Sequence, residues 1–293
     1  MINIKKHIIE YHKKRIQEGF TEEGEPDTKY YAFDWDDNIM FMPTKIMVLS
    51  ENEDEIGMST EDFAEHRHQI GKEPFQYNGA TIVNYAPNPF RYFGVEGDKR
   101  FIIDCMTAPV GPSWNDFVEC LNGGSIFAII TARGHTPSVL KEAVKNLIVS
   151  NKNGINQKEI LNNLQKYENI IQNDEQLSEE FSLEYEGKEL LERYLDRCMF
   201  APVTYGEGSA SNPEEGKIKA MRKFISYCKE LANEIKKPGK FKNDVANDEI
   251  IPFIGFSDDD PQNIEKMNKF LEKEYPEKPV RTYLTKGGLK QEL

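Results

Sequence analysis

Apolar positions in this chain recur in two patterns. Short continuous apolar runs bounded by polar residues or glycine predict buried strands. Apolar residues three and four apart predict amphipathic helices. The first run, Tyr30-Tyr31-Ala32-Phe33, leads directly into Asp34-Trp35-Asp36-Asp37-Asn38. Lys45–Ser50 and Glu55–Met58, separated by the turn Glu51-Asn52-Glu53-Asp54, predict a hairpin. Phe101–Met106 reads as a further strand, and Ser125–Ile130 is the most continuous apolar run, ending at Thr131. Cys198–Thr204 is a weaker strand because Pro202 interrupts it. Ile250–Phe256 runs into Ser257-Asp258-Asp259-Asp260-Pro261, and Val280–Leu284 closes the series.

Helices are expected between these runs. Ile2–Ile16 carries isoleucines among lysines and reads as amphipathic; Gly19–Asp27 follows as a linker. Ser59 starts a helix that ends near Gly71, and Ser113 starts one with a capping-box pattern that stops at Gly123-Gly124. The segment Phe75–Phe93, rich in aromatics, is expected to pack a small subdomain core. Thr136 caps a helix with Pro137 at its first position and an apolar face of Val139, Leu140, Ala143, Val144 and Leu147. Asn151–Glu186 is polar, with Ile155, Ile160, Leu161 and Leu164 at helical spacing, and reads as a surface helical insertion. After the glycine- and serine-rich loop Tyr205–Ser211, Asn212-Pro213 starts a helix striped by Ile218, Met221, Phe224, Ile225, Cys228 and Leu231 and ended by Pro238-Gly239. Asp260-Pro261 starts another, with Asp260 as its N-cap. Strands alternating with helices predict an α/β fold on a mostly parallel sheet, with no internal repeat.

Composition narrows the class. The hydrophobic content of 38% over 293 residues suffices for one large domain with insertions. No run of about 18 apolar residues is present, so no membrane partner is expected. The first residues lack a signal-peptide pattern, and a cytoplasmic location is expected. The formal net charge of -13 argues against an extended nucleic-acid-binding face. Cys105, Cys120, Cys198 and Cys228 form no C-x-x-C pair and read as reduced, partly buried thiols. His66 and His68 are two apart on a helix and point to different sides, which disfavours a metal pair.

The chemistry concentrates at strand ends. Asp34 and Asp36 follow a buried strand, where open α/β sheets place their sites. Carboxylates that crowded repel one another, and a divalent cation offsets the repulsion. Thr131, Lys217 and the pair Asp258-Asp259 also sit at strand ends or a helix start. In this order the residues resemble the haloacid dehalogenase superfamily of phosphohydrolases. Its motifs are matched by Asp34-Trp35-Asp36, by Ile129-Ile130-Thr131, by Lys217 (with Lys219 and Lys223 close by), and by Phe256-Ser257-Asp258-Asp259. The resemblance implies a Rossmann-like core of a mostly parallel sheet flanked by helices. A cap insertion would follow the first strand and a helical insertion the second. The corresponding division is an N-terminal helix and linker (1–29), a core (30–44 and 109–293, with the helical insertion at about 150–190) and a flap or cap (45–108).

The resemblance also implies roles. Asp34 is expected as nucleophile and Asp36 as general acid and base. Mg2+ is expected on Asp34, the Asp36 carbonyl and Asp258, with Asp259 supporting. Thr131 and Lys217 are expected to hold phosphoryl oxygens. The expected activity is hydrolysis of a phosphomonoester, with a nucleotide or other small phosphorylated molecule as substrate. Two alternatives stay open: an end-processing phosphatase acting on nucleic acid, and a catalytically silent scaffold of the same fold. A receiver domain carries the same residue types, but there the acidic pair comes first and the lysine last. Arg133 and His135, beside Thr131, read equally as substrate contacts or exposed residues. Two positions depart from the family pattern: Asp37 replaces a common glycine, and Asn38 stands where Thr or Val is usual.

Overall fold

The alternation of apolar runs and periodic segments resolves into an α/β fold in a computed structural model that describes residues 30–172, 186–205, 212–235, 253–276, 280–286 and 289–293. In chain order, β1 (Tyr30–Phe33) is followed by β2 (Ile46–Ser50), β3 (Glu55–Met58), α1 (Thr60–His66), β4 (Phe75–Tyr77), β5 (Ala80–Tyr85), α2 (Asp98–Thr107) and α3 (Trp114–Asn122). Next come β6 (Phe127–Thr131), α4 (Pro137–Val149), α5 (Gln157–Gln172), α6 (Glu186–Arg197) and β7 (Met199–Pro202). The chain closes with α7 (Pro213–Ile235), β8 (Ile254–Asp258), α8 (Pro261–Glu274), β9 (Val280–Lys286) and β10 (Leu289–Glu292). The expected helix at Ile2–Ile16, the linker, the loop after Tyr205, the stop at Pro238-Gly239 and the start of the Ile250 run lie outside the described residues. Among the described residues no helix is long and apolar enough to cross a membrane.

The main sheet has the order β10-β9-β8-β1-β6-β7, and every pairing is parallel except β10 with β9. Its inner strands read as continuous apolar runs because helices cover both faces. On one face, Phe33, Phe127 and Ile129 pack with side chains of α2 to α6; on the other, Ala32, Ala128, Ile130 and Phe256 pack with α7 and α8. Because β1 lies between β8 and β6, Phe33 pairs with Ser257 on one side and Ile129 on the other. The C-terminal ends of three adjacent strands therefore meet, carrying Asp258, Asp34 and Thr131.

A second, antiparallel sheet of order β3-β2-β5-β4 lies within residues 45–108 and encloses its own small core of Val48, Met58, Ile70 and Ile82, with Phe75, Tyr77 and Tyr85 packed against it. The β4–β5 hairpin turns at Asn78-Gly79, both at positive φ (48° and 81°), the pattern of a tight hairpin turn. Several expectations are corrected. Phe101–Met106 is helical, not a strand; burial at Phe101, Asp104 and Cys105 follows three- and four-residue spacing. The segment expected as a surface insertion buries Ile160, Leu161 and Leu164 in the core, alongside Leu190, Leu191 and Leu195 of α6. Ser113 precedes α3, but its side chain accepts no cap hydrogen bond and its buried Oγ has no partner among the described residues. The four cysteines are free and all buried.

The two unusual positions after Asp36 have structural reasons. Asp37 adopts φ 51°, a left-handed conformation open to glycine and tolerated by aspartate. Asn38 is fully buried, and its Nδ2 donates to the Asp34 carbonyl (3.0 Å), the Ser257 carbonyl (3.0 Å) and Ser257 Oγ (2.9 Å). Its Oδ1 accepts from Thr285 Oγ1 at 3.1 Å. One side chain thus ties the loop after β1 to β8 and β9. A side chain at Gly111 would bring Cβ within 2.4 Å of the Asn38 carbonyl oxygen, so the loop is also closely backed from outside the sheet. Asn38→Ala removes all four of these hydrogen bonds in a buried setting, and only the Ser257 carbonyl keeps a stated partner, the Asp34 N–H at 2.9 Å. The expected cost is about 3 kcal/mol of unfolding free energy, read by denaturant titration; a loss under ~0.5 kcal/mol would contradict the role given to Asn38.

Candidate functional site

Asp34, Lys217, Asp258 and Asp259 converge at the strand ends. Lys217 is placed by α7. Asn212 Oδ1 accepts from the Glu214 and Glu215 N–H groups (3.0 and 3.4 Å) and starts the helix. Lys217 then lies three and four residues before Ala220 and Met221 on the buried stripe, and its side chain is carried inward; Lys219 and Lys223 are exposed. Lys217 Nζ lies 2.6 Å from Asp258 Oδ2 and 3.0 Å from Asp34 Oδ1. Asp258 Oδ1 accepts from Asn263 Nδ2 (2.9 Å) and the Asp260 N–H (3.1 Å). Asp260 caps α8, its Oδ1 accepting from the Gln262 N–H at 2.8 Å, as expected of an aspartate before proline.

One carboxylate oxygen from each of Asp34, Asp258 and Asp259 lies within 4.8 Å of the others. If all three are ionised, three negative charges face the single ammonium of Lys217, leaving two in excess. Burial pushes the Asp34 carboxyl up to about 7; the Lys217 charge opposes this, while Asp258 and Asp36 reinforce it. Burial and the charges of Asp258 and Asp34 hold Asp259 well above the usual carboxylate range. For Lys217, burial alone would pull the ammonium down, but the charges of Asp258 and Asp34 and the hydrogen bond to Asp258 raise it far above its ordinary value. Asp34 Oδ1 is buried and, among the described residues, has only the Lys217 ammonium beside it, at 3.0 Å, with no well-formed hydrogen bond. A donor set of converging carboxylates, an orphaned oxygen and an excess of two negative charges fit a hard divalent cation.

The other expected residues take different places. Thr131 is buried at the end of β6, two residues past the Phe33–Ile129 pair, and its Oγ1 accepts from the Arg133 N–H at 3.4 Å. The Asp36 carboxylate does not join the cluster. It is gripped by Arg133, whose Nε donates to Oδ2 (2.8 Å) and Nη2 to Oδ1 (2.6 Å). Arg133 and His135 are both buried, so neither is an exposed residue. A positive side chain two residues past a strand-end threonine was visible in the sequence, but nothing there revealed its partner. Asn263, which fixes Asp258, was likewise missed, since a polar residue in the first turn of a helix reads as solvated.

Residues 45–108 reach the site loops. Thr60 Oγ1 donates to Asp37 Oδ2 at 2.5 Å, and Arg67 pairs with Glu214 (3.2 Å) and Asp260 (3.0 Å) at the starts of α7 and α8. A cavity of about 180 Å³ lies between α1 and these loops, with Asp37, Glu61, Asp259, Asp260 and Lys286 among its walls. Burial, less the hydrogen bond from Thr60, raises the Asp37 carboxyl to about 6. Comparison with family models, with characterised proteins and with solved structures finds no match.

The raised Asp34 value sets a sign. The folded protein holds a proton there that the unfolded chain has already released, so ionising Asp34 costs stability as pH rises from about 4 to about 7. Wild type is therefore expected to lose stability relative to Asp34→Asn between pH ~5 and ~8, and added Mg2+ to reverse the loss in wild type alone at the higher pH. Thermal unfolding of both proteins checks this; a pH-independent difference with no cation effect would count against a cation site.

Proposed function

We propose that this protein is a Mg2+-dependent phosphatase of the haloacid dehalogenase type, hydrolysing a small phosphomonoester through an aspartyl-phosphate. The observation that carries the reading is the convergence of Asp34, Lys217, Asp258 and Asp259 at adjacent strand ends, in the chain order in which that superfamily uses them. A phosphomonoester dianion resists attack, so catalysis is mostly positioning and charge neutralisation. Asp34, Asp258 and the Asp36 carbonyl would hold Mg2+, with Asp259 supporting, and the ion would supply that charge neutralisation.

The chain's own groups do the rest. An Asp34 oxygen attacks phosphorus as the bond to the leaving oxygen breaks, and Asp36 gives that oxygen its proton. Asp36 then takes a proton from water, whose oxygen attacks phosphorus. The Asp34–phosphorus bond breaks, and inorganic phosphate leaves. Lys217 and the Thr131 hydroxyl hold phosphoryl oxygens during both steps. Residues 45–108 act as a cap on a Rossmann-like core and choose the substrate. Their separate sheet and small core, and their contacts through Thr60 and Arg67, support that assignment. The formal net charge of -13 disfavours the alternative of nucleic-acid ends.

A panel of phosphate esters with Mg2+ or EDTA tests the reading. Wild type is expected to turn over at least one ester with Mg2+ and none with EDTA, and Asp34→Asn none. Asp36→Asn is expected to lose about 10²- to 10⁴-fold in kcat. Metal-independent turnover, or activity in Asp34→Asn, would refute the mechanism. Silence on every ester would favour a binding scaffold.

A further inference from the structure

We propose that Arg133 is a positioning residue of this site, fixing the orientation of the Asp36 carboxylate, and is itself fixed by residues 93–101. The inference rests on the phosphatase reading, because it concerns the group expected to move the proton.

Arg133 is 1% exposed, and an arginine that buried needs its charge paired. Its partner is Asp36, held by both oxygens in a two-point fork that fixes the plane of the carboxylate as well as its position. Two of the three remaining N–H groups also have partners. Nη2 reaches Thr44 Oγ1 at 3.0 Å, and Nη1 lies 3.1 Å from His135 Nε2. A guanidinium has no acceptor, so His135 Nε2 must accept, which puts the ring proton on Nδ1. That nitrogen faces Asp98 Oδ1 at 2.7 Å. A continuous chain of hydrogen bonds therefore runs from half-buried Asp98 through buried His135 and Arg133 to Asp36.

Two rings clamp the guanidinium. The Phe93 and Phe101 centroids lie 4.8 and 4.7 Å from Arg133 Cζ, and the Phe101 ring stacks on His135 at 4.5 Å. The neighbouring Gly134 N–H donates to the Phe93 carbonyl at 2.8 Å, which fixes the backbone on the same side. Phe93, Asp98 and Phe101 all come from the segment proposed as the cap.

This arrangement separates the carboxylates into two sets. Asp34 and Asp258 share Lys217, with Asp259 close by, while Asp36 has a cation of its own. Without Arg133, Asp36 would be free to rotate and would add a third unbalanced charge. Because the guanidinium is buried between two rings and forked to Asp36, with four of its five N–H groups engaged within the protein, it acts through Asp36 and not on substrate.

The test compares Arg133→Lys, Arg133→Ala and Asp98→Asn with wild type on the best ester from the panel. Lysine keeps the charge but cannot fork. Arg133→Lys and Arg133→Ala are expected to lose about 10- to 100-fold in kcat with KM nearly unchanged, and added guanidinium is expected to restore part of the loss in Arg133→Ala. Asp98→Asn, farther along the chain of contacts, is expected to show a smaller fall in kcat alone. Wild-type kcat in Arg133→Lys overturns the inference, as does a raised KM with intact kcat, which would make Arg133 a substrate contact. Should the Arg133 variants not fold, nitrogen-15 spectra of wild type decide. A single slowly rotating guanidinium that is released in Asp36→Asn is expected, and its absence overturns the proposal. Active wild type with unaffected variants refutes this inference alone. A wild type silent on every ester refutes the phosphatase reading and the positioning role with it.

Discussion

The constraint on which the structure depends is the burial of the Asp34 and Asp258 carboxylates, with half-buried Asp259 alongside, beside a single ammonium. Like charges this close are costly in a low-dielectric interior, and the fold holds them there by construction. Parallel pairing of β1 with β8 brings Asp34 and Asp258 to neighbouring strand ends, and the buried stripe of α7 drives Lys217 between them. Asn38 then locks the loop to both β8 and β9, so the carboxylates cannot relax by moving apart. The raised Asp34 and Asp259 values record the resulting strain as a tendency to hold protons. A divalent cation would relieve the charge without moving the backbone.

Asp36 stands outside that cluster although it is only two residues from Asp34. Its fork with Arg133 gives it a different electrostatic environment, and two like groups can then take different tasks in one site. The clamp of Phe93 and Phe101 on Arg133 means that this environment is completed by residues 45–108. Those residues also reach Asp37 through Thr60, and the starts of α7 and α8 through Arg67. A segment with its own sheet and core thus touches each of the loops that build the site.

How much of this the sequence reveals depends on the range of the forces involved. β1, β6 and the end of β8 were legible because strands covered on both faces are apolar at every position. The helix starts at Thr136, Asn212 and Asp260 were legible because capping is local. Phe101–Met106 misled because it is a short apolar run, and such a run does not distinguish a buried strand from a buried helix. Asn78-Gly79 was a turn signal passed over among the aromatics. Residues 151–186 looked superficial because their charged face outweighs a narrow apolar stripe. Within the site, Asp34, Lys217 and Asp258 came together as their order suggested. The tasks of Asn38 and Arg133 depend on partners far along the chain, Ser257 and Thr285 for one and Asp36 for the other. No local pattern encodes such pairs.

The central claim is that Asp34 is the atom donor that takes up the phosphoryl group. Borohydride reduction during turnover, followed by mass spectrometry of the peptide containing residue 34, examines that bond directly, because an acyl phosphate is reduced to an alcohol while a free carboxylate is not. The account expects homoserine at position 34, formed only when ester and Mg2+ are both present. Turnover that leaves residue 34 unmodified, or that marks a different aspartate, would contradict it.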